Sequence, residues 1–152
     1  MVKGRAGGRN RPVEREDLGA MMFRLGRRLL AMEQPILARH EVTMWAYAVL
    51  TALHESPMRT QAALADSIGA DKTRLIRVLD DLQERDFITR EPDPADRRVR
   101  LLALTTRGRR THQAIVAEIR AAEAGLLATV PEPDQEAFLR TLVALSARTP
   151  TT

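Results

Sequence analysis

The chain has 152 residues, of which 44% are hydrophobic and 29% charged, and this length allows one domain with an ordinary buried core. It contains no cysteine, which excludes disulfides, thiolate metal sites and thiol redox switches. No apolar run approaches the roughly 18 residues that span a bilayer, and no apolar segment follows the basic N-terminus as it would in a secretion signal. We therefore expect a cytoplasmic protein that does not enter a membrane.

The net charge of +4 is unevenly distributed along the chain. Residues 1–15 contain five basic residues and one acidic residue, and residues 90–110 contain seven basic and three acidic residues. Residues 16–89 and residues 111–152 each carry a net charge of −2. Positive charge gathered in two segments is typical of a protein that meets a polyanion. The alternative is a compositional bias toward arginine that has no function.

The N-terminal third is predicted to be an arm followed by two helices. Residues 1–15 are rich in glycine and arginine, which favours a flexible basic arm. Over about Asp17–Arg39, apolar residues recur at steps of three and four, which predicts an amphipathic helix. These residues are Leu18, Met21, Met22, Leu25, Leu29, Met32 and Ile36. Pro35 is expected to kink or divide this helix because proline removes a backbone donor. The next helix is predicted over Thr43–His54, with Thr43 as its cap.

Two short helices are predicted in the middle of the chain. Thr60 can cap the first, and Gly69 suits the left-handed residue that ends it. Asp71 can cap the second, which would extend to about Arg85. Two short helices joined by a glycine-containing turn of about three residues match the helix-turn-helix arrangement.

The segment after these helices reads as a β-hairpin. Two short β-type runs, Phe87–Arg90 and Val99–Leu104, flank a turn that is rich in proline and aspartate. The tip of the hairpin carries Arg97, Arg98 and Arg100. Guanidinium groups at the tip of a two-stranded ribbon suit a narrow, electronegative groove. The order helix, turn, helix, hairpin is that of a winged helix-turn-helix.

Two further helices are predicted at the C-terminal end, over about Arg107–Val130 and over Asp134–Ala147, the second starting at Pro133. Their apolar stripes, with that of the first helix, exceed what a winged unit could cover. The simplest explanation is that these helices pack against a second copy in a two-fold dimer. The alternative is a larger monomeric core built from the same stripes.

With this order of elements, the chain resembles the MarR (multiple antibiotic resistance regulator) family of winged helix-turn-helix transcription factors. The resemblance extends over about Leu18–Ala147. The matching residues are Leu64-Ala65, Asp71-Lys72-Thr73, Leu79-Asp80-Asp81-Leu82, Asp96-Arg97-Arg98, Leu102-Ala103-Leu104-Thr105 and Gly108. The chain departs from the family pattern at Glu41 and at Asp86, where glycine is common; aspartate tolerates left-handed geometry better than most residues.

The resemblance implies a mainly α-helical fold in two parts, behind the flexible arm of residues 1–15. Residues 41–106 would form a winged helix-turn-helix DNA-binding domain with a small β-hairpin wing, and residues 16–40 and 107–152 a helical dimerisation region. The expected function is a regulator, acting as a repressor, whose homodimer binds a pseudo-palindromic operator in double-stranded DNA. Two alternatives remain: non-specific packaging of nucleic acid, or a winged-helix module that binds a protein partner.

The second helix of the helix-turn-helix carries the candidate base contacts. On a helical wheel its apolar side chains fall in one arc and are expected to face the core. They are Leu75, Ile76, Val78, Leu79 and Leu82. The opposite side is basic in its N-terminal half, with Lys72, Thr73, Arg74 and Arg77 expected near bases and phosphates. Arg74 and Arg77 are the best candidates for bidentate contact to guanine. The alternatives are a solvated face or an intrahelical pair between Arg77 and Asp81.

The remaining DNA candidates lie on the preceding helix and on the wing. Thr60 and Gln61 begin a helix whose backbone amides can bind phosphate, although Thr60 can also be only a cap. The resemblance implies that Arg98 enters the minor groove and that Asp96 orients it. Arg97 and Arg100 are expected to meet phosphates.

No motif indicates an enzyme, a cofactor site or a metal site. The three histidines lack the spacing of a helical zinc site, and no nucleotide-binding or hydrolase fingerprint occurs. The resemblance implies a small effector, often aromatic and anionic, bound between the dimerisation helices and the winged unit. The expected lining residues are Met32, Ile36, His40, Met44 and Trp45. Trp45 can instead be a packing residue.

Overall fold

The computed structural model describes residues 16–56 and 59–147, and the predicted basic arm of residues 1–15 lies outside them. Six helices and three short strands occur in this part of the chain. The helices are α1 (Leu18–Arg39), α2 (Met44–Glu55), α3 (Gln61–Ile68), α4 (Lys72–Glu84), α5 (Thr106–Leu127) and α6 (Glu132–Ser146), and the strands are β1 (Arg59–Thr60), β2 (Ile88–Pro92) and β3 (Arg100–Leu104). None of these helices is long and apolar enough to cross a membrane. The predicted winged helix-turn-helix with flanking helices is confirmed.

The helix starts follow local capping chemistry. Thr43 Oγ1 accepts a hydrogen bond from the backbone N–H of Ala46 at 3.1 Å, and Asp71 Oδ1 accepts one from the N–H of Arg74 at 2.9 Å. Each bond satisfies one of the N–H groups that the first turn of a helix leaves without a partner. Gly69 ends α3 with φ of 64°, in the left-handed region that was predicted for it.

The predicted division of the first helix at Pro35 does not occur, since α1 continues through Pro35 to Arg39. Proline lies only four residues before the end of the helix, and its missing N–H leaves a single carbonyl without its intrahelical partner. The residues that follow it, Ile36 and Leu37, are buried in the core. Their burial holds the last turn in place.

Two residues that are not glycine adopt left-handed backbone geometry, Glu41 with φ of 54° and Asp86 with φ of 57°. These are the two positions at which the sequence departs from the family's glycine pattern. Each carbonyl group is held by a side chain: Arg85 Nη1 donates to the Glu41 oxygen, and Thr105 Oγ1 donates to the Asp86 oxygen, both at 2.6 Å. These bonds offset part of the cost of the unusual conformation.

The three strands form one antiparallel sheet in the order β1-β3-β2. The hairpin strands lie within a few residues of the predicted runs, with Ile88 opposite Leu104 and Pro92 opposite Arg100. Strand β1 was not predicted, because two residues show no alternation. Its pairing with β3 joins the start of α3 to the base of the wing.

The core is centred on α2, which lies against α1, α3, α4, α5 and β3. Val49, Leu50 and Leu53 of this helix are almost completely buried. One predicted core residue is misplaced, since Ile76 is 48% exposed. It lies 100° around α4 from Leu75 and therefore falls at the edge of the buried arc.

Candidate nucleic-acid interface

The N-terminal half of α4 presents a basic surface to solvent. Leu75, Leu79 and Leu82 are buried, which turns the opposite face of the helix outward. That face carries four exposed candidates, Lys72, Thr73, Arg74 and Arg77. Within the described residues, neither Lys72 nor Arg77 pairs with a carboxylate. The alternative pair between Arg77 and Asp81 does not form, and Asp81 lies 3.6 Å from Arg85.

Arg74 is the one basic residue on this face whose side chain is held by neighbours. Its Nε lies 3.8 Å from Oδ2 of Asp71, the residue that caps α4. Its guanidinium carbon lies 5.2 Å from the centroid of the Trp45 ring on α2. Arg74 is therefore placed at the helix tip by a carboxylate and an aromatic ring together.

Two of the three acidic residues in the C-terminal half of α4 are paired with arginines. Asp80 forms an ion pair with Arg90 of β2, and Asp81 forms one with Arg85. Only 19% of the Arg90 side chain is exposed, and its pair with Asp80 ties α4 to the wing. These pairs reduce the negative charge that would otherwise repel a polyanion.

The tip of the wing is an ordered turn over residues 93–99. The backbone N–H of Asp93 donates to the Val99 oxygen, and that of Val99 donates to the Asp96 oxygen, each at 2.9 Å. The carboxylate of Asp93 accepts from the N–H of Ala95 at 2.8 Å. Short aspartate side chains make such local bonds readily. The tip is therefore a defined platform for its arginines.

Arg98 extends from this platform with its side chain 91% exposed. Oδ1 of Asp96 accepts from the backbone N–H and from Nε of Arg98, both at 3.1 Å, and Oδ2 accepts from Nη2 at 3.3 Å. The side-chain bonds from Arg98, followed by the backbone bond, hold the pKa of Asp96 below its usual value. Arg97 and Arg100 are also exposed, and in the described part of the chain neither meets a carboxylate within 4.0 Å.

At the start of α3, the hydroxyl of Thr60 accepts from the backbone N–H of Ala63 at 3.2 Å. Thr60 therefore caps α3. Its hydroxyl accepts this one bond and still has a proton to donate. Gln61 is the first residue of the helix and is half-buried. Both candidates lie where the N-terminus of α3 opens to the surface.

A set of contacts that the sequence did not predict joins the end of α4 to α1 and α5. Arg85 donates to the carbonyl oxygen of Glu41 at 2.6 Å and to that of His40 at 3.3 Å. His40 Nε2 lies 2.7 Å from Oε1 of Glu118 on α5. Hydrogen bonds from Arg39 and His40 lower the pKa of Glu118. No local pattern marks these residues, because their partners are separated by 44 or more positions in the sequence.

The five effector candidates do not line one cavity in the protomer. Met32 and Ile36 lie against Ile119 and Ala122 of α5 with no room between them, and His40 is bonded to Glu118. Trp45 is half-buried and faces Arg74. Met44 lines an open concavity of about 600 Å³ between α2 and α3. The other residues that line it are Tyr47, Ala48, Thr51, Ala52, Glu55, Ser67 and Ile68.

A second unpredicted cluster lies where α2 meets α5. His112 is 4% exposed, its Nε2 is 3.1 Å from Thr51 Oγ1, and its ring lies 5.8 Å from that of Tyr47 and 4.8 Å from that of His54. Its Nδ1 is buried and has no hydrogen-bond partner within the described residues. Burial, followed by the neighbouring His54, lowers the pKa of His112.

Comparison with known proteins points to one family. Residues 42–99 match the sequence profile of the MarR family. The chain is 29% identical over 100 residues to the transcriptional regulator HosA of Escherichia coli O111:H-, and the match covers 66% of the chain and 74% of HosA.

Solved structures that share the fold over most of their length include a DNA complex and a ligand complex. A Mycobacterium tuberculosis MarR family protein in complex with DNA has a TM-score of 0.76 and 27% identity, with 88% of the chain and 100% of that protein covered. CouR of Rhodococcus jostii RHA1, bound to p-coumaroyl-CoA, has a TM-score of 0.72 and 27% identity, with 90% and 96% covered.

Proposed function

This chain belongs to the MarR family of transcriptional regulators, and we propose that its homodimer represses transcription by binding a pseudo-palindromic operator. In this proposal the N-terminal half of α4 enters the major groove and Arg98 of the wing enters the adjacent minor groove. A small ligand that binds the dimer releases it from DNA. The protein acts in the cytoplasm, where it meets chromosomal DNA.

The observation that carries the DNA-binding proposal is the geometry at the tip of the wing. A side chain that is 91% exposed gives up rotamer entropy when it enters a groove. Asp96 restrains Arg98 through three hydrogen bonds, which reduces that loss. A planar guanidinium that is oriented in advance suits the narrow, negative minor groove of DNA. An exposed arginine that served only solubility would not need such an arrangement.

The exposed apolar residues of α1 and α6 support the dimer. No residue of α6 is buried in the protomer. Two of its apolar side chains, Val143 and Leu145, are 70% and 73% exposed. Phe23 on α1 is 66% exposed. A second copy would bury these side chains, whereas the alternative of a larger monomeric core leaves them in water. Two-fold symmetry would place two recognition helices about one DNA turn apart.

The ligand part of the proposal is supported by the concavity of about 600 Å³ between α2 and α3, which falls in the range of small-molecule sites. Met44 and Tyr47 offer an apolar and an aromatic wall there. CouR, a relative with the same fold, binds an aromatic acyl-CoA. We propose an aromatic, anionic ligand, and a screen of aromatic carboxylates and their CoA thioesters for release of bound DNA tests this class.

The function is tested by selection from a randomised pool of DNA duplexes with the wild-type protein. We expect the enriched duplexes to share an inverted repeat with half-site centres about 10 base pairs apart. Random competitor DNA should bind about 10³-fold or more weakly than the enriched duplex. Equal competition by random DNA would contradict the proposal and favour non-specific packaging. If no duplex is retained at all, the alternative of a protein-binding module gains support.

A further inference from the structure

Arg74 is the only candidate base-contacting arginine of α4 that touches another helix in the described structure. The ring that it touches belongs to Trp45, the second residue of α2 and the only tryptophan of the chain. Its other neighbour is Asp71, which also caps α4 through the backbone N–H of Arg74. By contrast, Arg77 lies one turn further along α4 and, among the described residues, has neither an aromatic nor an acidic contact.

The two contacts of Arg74 differ in whether they leave the N–H donors of its guanidinium free to bind DNA. A carboxylate accepts N–H donors and competes with DNA for them. An aromatic ring attracts the cation through its π face and offers no oxygen acceptor. The N–H groups of Arg74 therefore stay available for the paired acceptors of guanine while the ring supports the guanidinium. The distance of 3.8 Å from Arg74 Nε to Asp71 makes the carboxylate contact the weaker and more easily replaced one.

The backbone at Trp45 is held in place by its neighbours. It follows the capped N-terminus of α2 and precedes Ala46, which is 1% exposed. Val49, Leu50 and Leu53, further along α2, lie in the core. The backbone that carries the indole therefore belongs to a packed helix, which limits how far the ring can move when the surface of α4 meets DNA.

We propose that Trp45 is a positioning residue for Arg74, and that its ring holds the guanidinium in the orientation that reads one base pair of each half-site. The inference rests on the proposed function, since it requires that α4 enters the major groove. It assigns to Trp45 a role in sequence discrimination in place of a role in the ligand site. Loss of the ring should therefore weaken binding to the selected duplex more than binding to random DNA.

The test is a double-mutant cycle on a fluorescein-labelled duplex selected by the wild-type protein. Trp45→Leu should weaken binding about two- to five-fold, the range for a cation–π contact at an exposed site. The same substitution should have almost no effect in an Arg74→Ala background, because the supported group is then absent. Trp45→Phe should restore most of the affinity. An equal loss in both backgrounds would overturn the inference and identify Trp45 as a packing residue.

A second measurement needs neither DNA nor a change at Trp45. Because Trp45 is the only tryptophan, its fluorescence reports directly on the group above its ring. Arg74→Ala should shift or strengthen the emission of the protein alone, whereas Arg77→Ala, which removes the same charge from the same helix, should leave it unchanged. Identical spectra for both variants would overturn the contact. Failure of the proposed function is recognised separately, because the wild-type protein would then enrich no duplex over random DNA.

Discussion

Among the glycines of the described residues, Gly108 is the one at which an added methyl group meets the closest neighbour. It is buried in the first turn of α5, where its N–H donates to Thr105 Oγ1 at 2.9 Å. A Cβ at this position would lie 2.0 Å from the carbonyl oxygen of Phe87. That oxygen already accepts from the N–H of Thr105 at 3.1 Å. Because the clash is with backbone, no side-chain rotation can relieve it, and the base of the wing must move away from α5.

The expected cost of Gly108→Ala follows from two opposing effects. Overpacking of this kind costs about 1–3 kcal/mol and occasionally more, and contact with backbone places the cost at the upper end. The higher helix propensity of alanine than of glycine stabilises the helix by at most about 1 kcal/mol. We expect a net loss of about 2 kcal/mol in the free energy of unfolding. Urea unfolding at one fixed protein concentration measures it as a lower midpoint with an unchanged slope.

Gly125 provides the matched control on the same helix, since a Cβ there would meet no atom within 4 Å. Gly125→Ala should leave stability unchanged or raise it by up to about 1 kcal/mol. Equal urea midpoints for Gly108→Ala and Gly125→Ala would refute this expectation. The close approach of α5 to the wing would then not constrain this position.

Three further predictions concern charged and titratable groups. Burial and a neighbouring histidine hold the pKa of His112 below its ordinary value. The free energy of unfolding of the wild-type protein should therefore carry no penalty from His112 above about pH 6.5 and should decrease as the pH drops below that value. His112→Gln should flatten that fall, as seen by urea unfolding at about pH 7.5 and about pH 5.5. Asp96→Asn should weaken operator binding about two- to tenfold by releasing Arg98, and anisotropy that stays at the wild-type value would count against the orienting role. Arg90→Ala and Asp80→Ala should couple by up to about 1 kcal/mol in a double-mutant cycle of urea unfolding, and strict additivity would show that the pair contributes nothing.

The sequence predicted those features that depend on neighbours along the chain. Caps at Thr43, Thr60 and Asp71, and the left-handed Gly69, follow from side-chain chemistry within three residues. The buried arc of α4 follows from a single helical period, and only Ile76 at its edge was wrong. Local rules work here because the partners of each group lie within one turn.

Contacts between distant elements could not be predicted in the same way. Nothing local indicates that Arg85 would hold the carbonyl groups of residues 40 and 41, or that His40 would meet Glu118. The helical wheel placed Arg74 correctly on the outer face but gave no sign of the Trp45 ring beside it. These pairs depend on how the helices pack, which one sequence without its structure does not specify.

In the proposed complex, cationic groups from α4 and from the wing bind neighbouring grooves of one duplex. The most direct test of this arrangement compares Arg98→Ala with Arg120→Ala, which removes the same charge from an exposed position of α5 about 20 Å along the helix from the wing. Arg98→Ala should weaken binding to the selected duplex by about 1–3 kcal/mol and reduce the slope of log affinity against log salt by about 1. Arg120→Ala should change neither value. Equal affinities and slopes for the two variants would contradict the placement of the wing in the minor groove.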